Sequence, residues 1–277
     1  MNGMEYIRQE IVPHTPGRDP KQAAVLEGYL PDVSQEIDPG RLRPAVLVLP
    51  GGAYAMTSET EGEPVALKFA AAGACAFLLW YSVAPARFPQ ALCEVLAALR
   101  LIRQNAALWN IDPERVAVCG FSAGGHLAAS AGVFWDRDFV KEILGRTGPS
   151  LRPDRLILCY PVLGGTQYTH RASMENLLGE SPSQALPRQM DLYEQVDERT
   201  PETFLWHTAE DECVPPMGSL LFAQALLRHG VACELHLYPR GGHGLSLGNY
   251  LSADEPFSPH GHTVSQWFDN AVRFLYE

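Results

Sequence analysis

The sequence is poor in the features that mark membrane proteins, secreted disulfide proteins and zinc proteins. No stretch approaches the roughly 20 consecutive apolar residues of a membrane-spanning helix. The six cysteines include no C-x-x-C pair, and four of them lie in apolar, strand-like runs, which favours free thiols in a reducing compartment. The N-terminus has no basic segment followed by an apolar one, so we expect no secretory signal and a cytoplasmic protein.

Positive charge is also scarce. Lysine and arginine together number 21, against 32 aspartates and glutamates, which gives a net charge of -11 at pH 7. An acidic surface without a local basic patch attracts neither nucleic acid nor an anionic membrane, so we expect neither as a partner. Histidine and cysteine spacing suggests no metal site, and the sequence implies no cofactor.

What is present suits a compact globular protein. Of the 277 residues 46% are hydrophobic and 19% are charged, with no repeats and no low-complexity segments. Strand-like and helix-like segments alternate along the chain, which predicts a mostly parallel sheet covered by helices on both faces. An antiparallel pair at 6–12 and 23–29, joined by a loop rich in Pro and Gly, is predicted to lead the sheet. We expect one domain over residues 1–277.

A candidate nucleophile is Ser122, at the centre of a G-x-S-x-G segment that runs from Gly120 to Gly124. The apolar run at 115–119 predicts a buried strand, and the small residues at 126–132 are compatible with a helix. In such a strand-turn-helix, the serine projects above the sheet, and glycines let neighbouring backbone approach. An ordinary turn whose serine caps a helix can have the same pattern, so the assignment depends on partners elsewhere in the chain.

A serine hydroxyl is a weak nucleophile that needs a histidine base, and the histidine needs an acid to orient it. Asp211 follows an apolar strand pattern at 204–208 and is the candidate acid. His243 lies in a glycine-rich loop after a strand pattern at 233–238 and is the candidate base. A histidine surrounded by glycines has no apolar face to pack against, which favours a functional role.

Asp211 has two acidic neighbours. Glu210 or Glu212 could be the acid while Asp211 caps the helix that begins near Pro215. We favour Asp211 because aspartate is the commoner acid in such triads. Four other histidines lie in helix or strand patterns and are predicted to be structural or solvated: His126, His207, His229 and His236.

The negative oxygen that forms in acyl transfer needs backbone N–H donors. The residue after the nucleophile, Ala123, is one expected donor. The loop Pro50–Tyr54 follows an apolar strand pattern and is expected to supply the other from Gly52 and Ala53. This loop differs from the His-Gly-Gly-Gly loop of many lipases at its first and last positions, so its register is open by one residue. Pro-Gly-Gly is also a common turn.

The stretch 161–201 is the least regular in the chain, and we expect it to form a small cap or lid over the nucleophile. A plain surface connection is the alternative. Tyr54 and Tyr81 are candidate substrate-binding residues that would line the mouth near the oxyanion loop, although lone aromatic residues are equally compatible with packing.

Together these segments resemble the α/β-hydrolase superfamily and, more narrowly, its small esterase and acetyl-xylan-esterase-like branch, a carbohydrate-acetylesterase group related to hormone-sensitive-lipase-like enzymes. The resemblance spans most of the chain. It includes the loop Pro50–Tyr54, the strand end Tyr81–Pro85, the segment Gly120–His126, and the triad in the chain order Ser122, Asp211, His243.

The resemblance implies an α/β-hydrolase fold, with a twisted sheet of about eight strands, helices on both faces and a small irregular cap. It implies hydrolysis of short acyl esters by a serine mechanism, with acetyl esters of xylose-type sugars as the expected substrates. Two alternatives stay open: an arylformamidase-like amide hydrolase and a non-catalytic binding module on the same scaffold. Oligomeric state, including a homo-oligomer, is not determined by the sequence.

Overall fold

The computed structural model describes residues 3–13, 15, 23–34, 36–145, 148–180, 182–252 and 262–277. Their strands form one eight-stranded sheet in the order β1-β2-β4-β3-β5-β6-β7-β8. The strands are β1 (Glu5–Ile11), β2 (Ala24–Leu30), β3 (Arg43–Leu49), β4 (Cys75–Trp80), β5 (Ile111–Phe121), β6 (Arg155–Cys159), β7 (Glu202–Thr208) and β8 (Cys233–Tyr238). The pairs β1–β2 and β2–β4 are antiparallel, and the pairs from β4 through β3 to β8 are parallel.

Helices cover both faces of this sheet. They are α1 (Glu63–Ala71), α2 (Gln90–Gln104), α3 (Ser122–Phe134), α4 (Asp138–Leu144), α5 (Arg171–Leu178), α6 (Ala185–Gln189), α7 (Met217–Arg228) and α8 (Trp267–Tyr276). One apolar cluster joins the sheet to α1 and α8, and a second joins its other face to α2, α3 and α7. None of the helices in the described ranges combines the length and apolar character that crossing a bilayer requires.

The strands at the centre of the sheet are apolar on both faces because helices bury both. In β3, Leu47 and Leu49 belong to one cluster, and Val46 and Val48 belong to the other. This explains why the segment reads as an unbroken apolar run and not as an alternation of polar and apolar residues. The predicted mostly parallel sheet, its leading antiparallel pair and its two helical layers are confirmed. In the loop predicted to join that pair, residues 14 and 16–22 lie outside the described residues.

Several boundaries differ from the sequence-based expectation. The amphipathic pattern from residue 88 to about 107 predicts a long helix. The helix α2 covers Gln90–Gln104, and it begins later than predicted because Pro89 occupies its N-cap and the Phe88 N–H donates to the Leu177 carbonyl. The sequence pattern from about 262 to 276 predicts a closing helix, and the structure begins it with a 3-10 turn at Thr263–Gln266, before α8. A short helix, α4, was not predicted.

Candidate active site

Ser122 lies where β5 ends and α3 begins, and its φ of 51° is in the left-handed region. The glycines on either side are required by close backbone approach. A Cβ on Gly120 would lie 2.2 Å from the Gly124 carbonyl oxygen, and a Cβ on Gly124 would lie 2.2 Å from the Leu49 carbonyl oxygen. Side chains at these two positions would prevent the turn from closing, as the motif predicts.

His243 is placed between Ser122 and Asp211. Its Nε2 is 2.7 Å from the Ser122 Oγ, and its Nδ1 is 2.7 Å from the Asp211 Oδ2. An ionised carboxylate only accepts hydrogen bonds, so Nδ1 carries the hydrogen and Nε2 is left to accept from the hydroxyl. The three side chains therefore form one continuous hydrogen-bond chain in the orientation that removes a proton from the serine.

The Asp211 carboxylate is buried and accepts four hydrogen bonds. Its Oδ1 accepts from the N–H groups of Cys213 and Val214 at 3.0 and 2.9 Å. Its Oδ2 accepts from His243 and, at 3.1 Å, from the Nε2 of His207. Burial opposes ionisation, but these donors outweigh it and hold the pKa of Asp211 well below its usual range. The acid therefore stays charged wherever histidine titrates.

Neither glutamate beside Asp211 is bonded to His243. The Glu210 carboxylate binds the Arg240 guanidinium at 2.6 Å and the Gly241 N–H at 3.1 Å, and Glu212 is exposed. Of these three carboxylates, the structure brings Asp211 to the histidine. Within the described ranges, no group of three or more His, Cys, Asp and Glu side chains is arranged to hold a metal ion.

His207 is the contact that sequence reasoning missed. It lies in β7, fully buried, and its Nε2 faces two acceptors, the Asp211 Oδ2 at 3.1 Å and the Val214 carbonyl oxygen at 3.0 Å. That nitrogen therefore carries a hydrogen, and the Nδ1, 2.8 Å from the Ser219 Oγ, accepts from the hydroxyl. His207 thus contacts the same carboxylate oxygen as His243 and helps to fix the position of the carboxylate. The sequence feature that points to this contact is the position of His207, four residues before Asp211 at the end of the same strand.

The loop that follows β3 lies against the nucleophile, since a Cβ on Gly51 would be 2.9 Å from the Ser122 Cβ. The Gly51 N–H donates to the Glu61 Oε2 at 2.7 Å, so it is already occupied. The N–H groups of Gly52 and Ala53 form no hydrogen bond with any described residue. The N–H groups of Gly52 and Ala53, the two predicted donors, are therefore available, whereas the N–H of Gly51 is already bonded.

The backbone holds these donors in an unusual conformation. Ala53 has a φ of 56°, and the Gly52 carbonyl oxygen accepts from the N–H groups of Ala55 and Met56 at 3.0 and 3.1 Å, which closes the turn. Ala123 lies in the first turn of α3, where N–H groups have no carbonyl partner within the helix. The N–H groups of Gly52, Ala53 and Ala123 are thus free to donate to a negative oxygen.

The structure does not place Tyr54 and Tyr81 at the mouth of the site, contrary to their candidate role in substrate binding. Their exposed fractions are 2% and 3%. The Tyr54 hydroxyl is 2.8 Å from the His126 Nδ1, and the Tyr81 hydroxyl donates to the Pro50 carbonyl oxygen at 2.6 Å. Both side chains pack inside the fold, which is the alternative that the sequence left open.

The buried His126 makes a testable contribution to acid sensitivity. Burial lowers the pKa of His126 to about 3 in the folded protein, whereas an unfolded chain has the ordinary histidine pKa of about 6.5. Between these two pH values the imidazole is protonated in the unfolded state only. The free energy of unfolding therefore falls as the pH drops below the histidine pKa of the unfolded chain. His126 alone accounts for a loss of about 2 kcal/mol between pH 7 and pH 5. We expect His126→Asn to show a shallower fall in unfolding free energy over that range, measured by urea denaturation. Equal slopes for both proteins would contradict this assignment.

The stretch 161–201, in which residue 181 lies outside the described residues, is bonded to the groups just discussed. The Val162 N–H donates to the Ser122 carbonyl oxygen at 3.1 Å. In α5, the Asn176 side-chain amide donates to the Ala53 carbonyl oxygen at 3.0 Å. The segment therefore touches the nucleophile at its start and the oxyanion loop further along.

The chain is similar in sequence and in fold to several known proteins. Residues 29–226 match the model of the BD-FAE family. The endo-1,4-beta-xylanase B of Butyrivibrio fibrisolvens is 39% identical over 222 residues, which cover 78% of this chain and 34% of that protein. The acetylxylan esterase of Xylanibacter ruminicola is 28% identical over 215 residues, which cover 75% of this chain and 42% of that protein. The chain thus spans between a third and a half of the length of these two relatives.

Among solved structures, an acetyl ester-xyloside bifunctional hydrolase from Caldicellulosiruptor lactoaceticus superposes with a TM-score of 0.82 at 36% identity. That match covers 97% of this chain and 95% of the other. It therefore extends along nearly all of both proteins.

Proposed function

The chain belongs to the BD-FAE family and has the α/β-hydrolase fold, and we propose that it is a serine-dependent hydrolase of carboxylic esters. The observation that carries this proposal is the chain of two 2.7 Å contacts from Ser122 through His243 to Asp211. A nucleophile, a base and an orienting acid at these distances are the arrangement that acyl transfer needs.

The mechanism follows from the geometry. His243 accepts the Ser122 proton while the Oγ adds to the ester carbonyl, and Asp211 stabilises the imidazolium that results. The N–H groups of Gly52, Ala53 and Ala123 bind the tetrahedral oxyanion. Collapse of the intermediate releases the alcohol with the proton from His243. Water then adds to the acyl-enzyme, again losing a proton to the histidine, and the acid product leaves with Ser122 restored.

We propose short acyl esters, acetyl esters of xylose-type sugars above all, as the substrates. The support is the naming of the relatives: one is an acetylxylan esterase, one is a xylanase and one is an acetyl ester-xyloside bifunctional hydrolase. The proposed enzyme is one domain, in which residues 161–201 form a small cap. This cap is supported by its bonds to the Ser122 and Ala53 carbonyl oxygens.

The cytoplasmic location stays a prediction. It is supported by the cysteines, since all six lie in the described part of the chain as free thiols, and four of them are buried. Small-molecule esters are the expected partners.

A substrate panel tests the proposed activity. We expect p-nitrophenyl acetate to be hydrolysed with a kcat/KM at least about tenfold above that of the octanoate, because the proposed substrates are short acyl esters. Acetylated xylose should release acetate in a parallel assay. N-formylkynurenine, an amide, distinguishes the arylformamidase alternative: a kcat/KM above that for acetate esters would favour it. If no member of the panel is turned over, the proposal fails, and ligand binding to a non-catalytic scaffold becomes the better explanation.

A further inference from the structure

A buried carboxylate lies behind the oxyanion loop, outside the hydrogen-bond chain of the triad. Glu61 is 4% exposed. Its Oε2 accepts from the Gly51 N–H at 2.7 Å, and its Oε1 accepts from the Tyr160 hydroxyl at 2.6 Å. Among the described residues, no lysine or arginine is bonded to it. A buried acid without a cationic partner is costly to keep, so it calls for an explanation.

Tyr160 carries the connection from Glu61 to the base. Its hydroxyl oxygen accepts from the Ser246 N–H at 2.8 Å, three residues after His243 in the same loop. Its ring packs edge-on against the His243 imidazole, with ring centroids 5.0 Å apart. The hydroxyl hydrogen therefore goes to Glu61, and the hydroxyl oxygen and ring both hold the base loop.

A second contact joins the same two segments. The Ser246 Oγ donates to the Thr60 carbonyl oxygen at 2.8 Å, next to Glu61 in sequence. On the other side, Gly51 precedes the two free donors of the oxyanion loop. One carboxylate thus links the loop that would bind the oxyanion with the loop that carries the base, and these two loops are far apart in sequence.

The hydrogen bonds also indicate the charge state. Both Glu61 oxygens face donors, so a proton on the carboxyl would displace one of them. Burial raises the pKa of Glu61 above its ordinary value, and the bonds from Tyr160 and Gly51 and the charge of His243 offset this rise only in part. The other titratable groups facing these side chains are Asp211 and His170 on the side of the base, and Tyr81 and Cys159 on the side of Glu61. None of the four is a fixed cation.

We propose that Glu61 is a positioning residue of the active site: through Gly51 and Tyr160 it sets the oxyanion donors relative to His243, and its negative charge favours the imidazolium. This inference rests on the proposed ester hydrolysis. Misplacement of donors by fractions of an ångström weakens stabilisation of the transition state, whereas ground-state binding of a small ester is little affected. Loss of Glu61 should therefore lower kcat more than it changes KM.

The test compares three variants with wild type on p-nitrophenyl acetate, over a range of pH. We expect Glu61→Gln to lower kcat by about 10- to 100-fold with KM changed by less than about threefold, because the amide offers a donor where a carboxylate oxygen accepted. The acid limb of the pH profile should move down by roughly half a pH unit, since a negative charge beside the imidazole is gone. Glu59→Gln, the same change at an exposed position two residues away, should behave as wild type.

Tyr160→Phe distinguishes the effect of the Tyr160 hydrogen bonds from the effect of the negative charge on Glu61. It keeps the ring against His243 and removes the hydroxyl that joins Glu61 to Ser246, so we expect a lower kcat with the acid limb where wild type has it. Circular dichroism and thermal unfolding give the folded fraction of each variant. If Glu61→Gln does not fold, Glu61→Asp replaces it: the shorter carboxylate retains charge but cannot reach both donors, and should lower kcat without moving the acid limb.

Two results would overturn the inference. One is a folded Glu61→Gln with kcat within twofold of wild type and an unchanged acid limb. The other is a loss of activity that only follows the folded fraction of the variants, which would mean a structural role. Failure of the proposed function itself is separate, because wild type would then hydrolyse no ester at all.

Discussion

Replacing Ser122 by alanine is expected to lower kcat for p-nitrophenyl acetate by at least about 1,000-fold, with the protein still folded. The Oγ is the atom that the 2.7 Å contact to the His243 Nε2 prepares for attack, and alanine has no group to replace it. The left-handed strain at φ 51° is unchanged by the substitution, because alanine has a Cβ as serine does. Steady-state kinetics on the purified variant measures the loss.

The same helix offers a matched control. Ser130 lies in α3, two turns beyond Ser122, with an exposed fraction of 2% and a hydroxyl that has no hydrogen-bond partner among the described residues. Ser130→Ala should retain kcat within about twofold, since this change removes no bond and little volume. Retention of more than a tenth of wild-type activity by Ser122→Ala would show that another group is the nucleophile.

The architecture is predictable from the sequence because its pattern is redundant. Central strands such as β3 are apolar at consecutive positions, and this marks a sheet that helices cover on both sides. Boundaries are less predictable. The end of α2 nearest Pro89 depends on where the Phe88 N–H finds an acceptor, and that acceptor, Leu177, is distant in sequence. The helix α4 has only seven residues, which is too short for its apolar residues to distinguish a helix from a loop.

The relative placement of Ser122, Asp211 and His243 is predictable for a different reason: the carboxyl ends of parallel strands meet at one edge of a sheet. Residues that support them are not. Glu61 is one of two glutamates between β3 and α1, and no local feature shows that it folds inward while Glu59 stays exposed. That choice is made by Gly51 and Tyr160, which reach it only in the folded chain.

Asp211→Asn should be the second most damaging single substitution, lowering kcat by about 1,000- to 10,000-fold. The contacts dictate how the new amide will orient. Both N–H groups at the Oδ1 position, from Cys213 and Val214, need an acceptor, so the amide oxygen takes that side. The NH2 group then faces the His243 Nδ1, which must become the acceptor. The ring hydrogen moves to Nε2, and this nitrogen can no longer accept the Ser122 proton.

The neighbouring acids give the decisive comparison for this prediction. Glu210→Gln removes a charge bonded to Arg240, and Glu212→Gln removes an exposed one, so both should keep kcat within about threefold of wild type. The pH profile adds a second criterion. The pKa of Asp211 lies well below its usual range, so in wild type its protonation should not limit activity on the acid side of the profile. A loss of activity in Glu210→Gln or Glu212→Gln equal to that of Asp211→Asn would contradict the assignment of Asp211 as the acid. Of these three carboxylates, only that of Asp211 is buried and bonded to both His207 and His243.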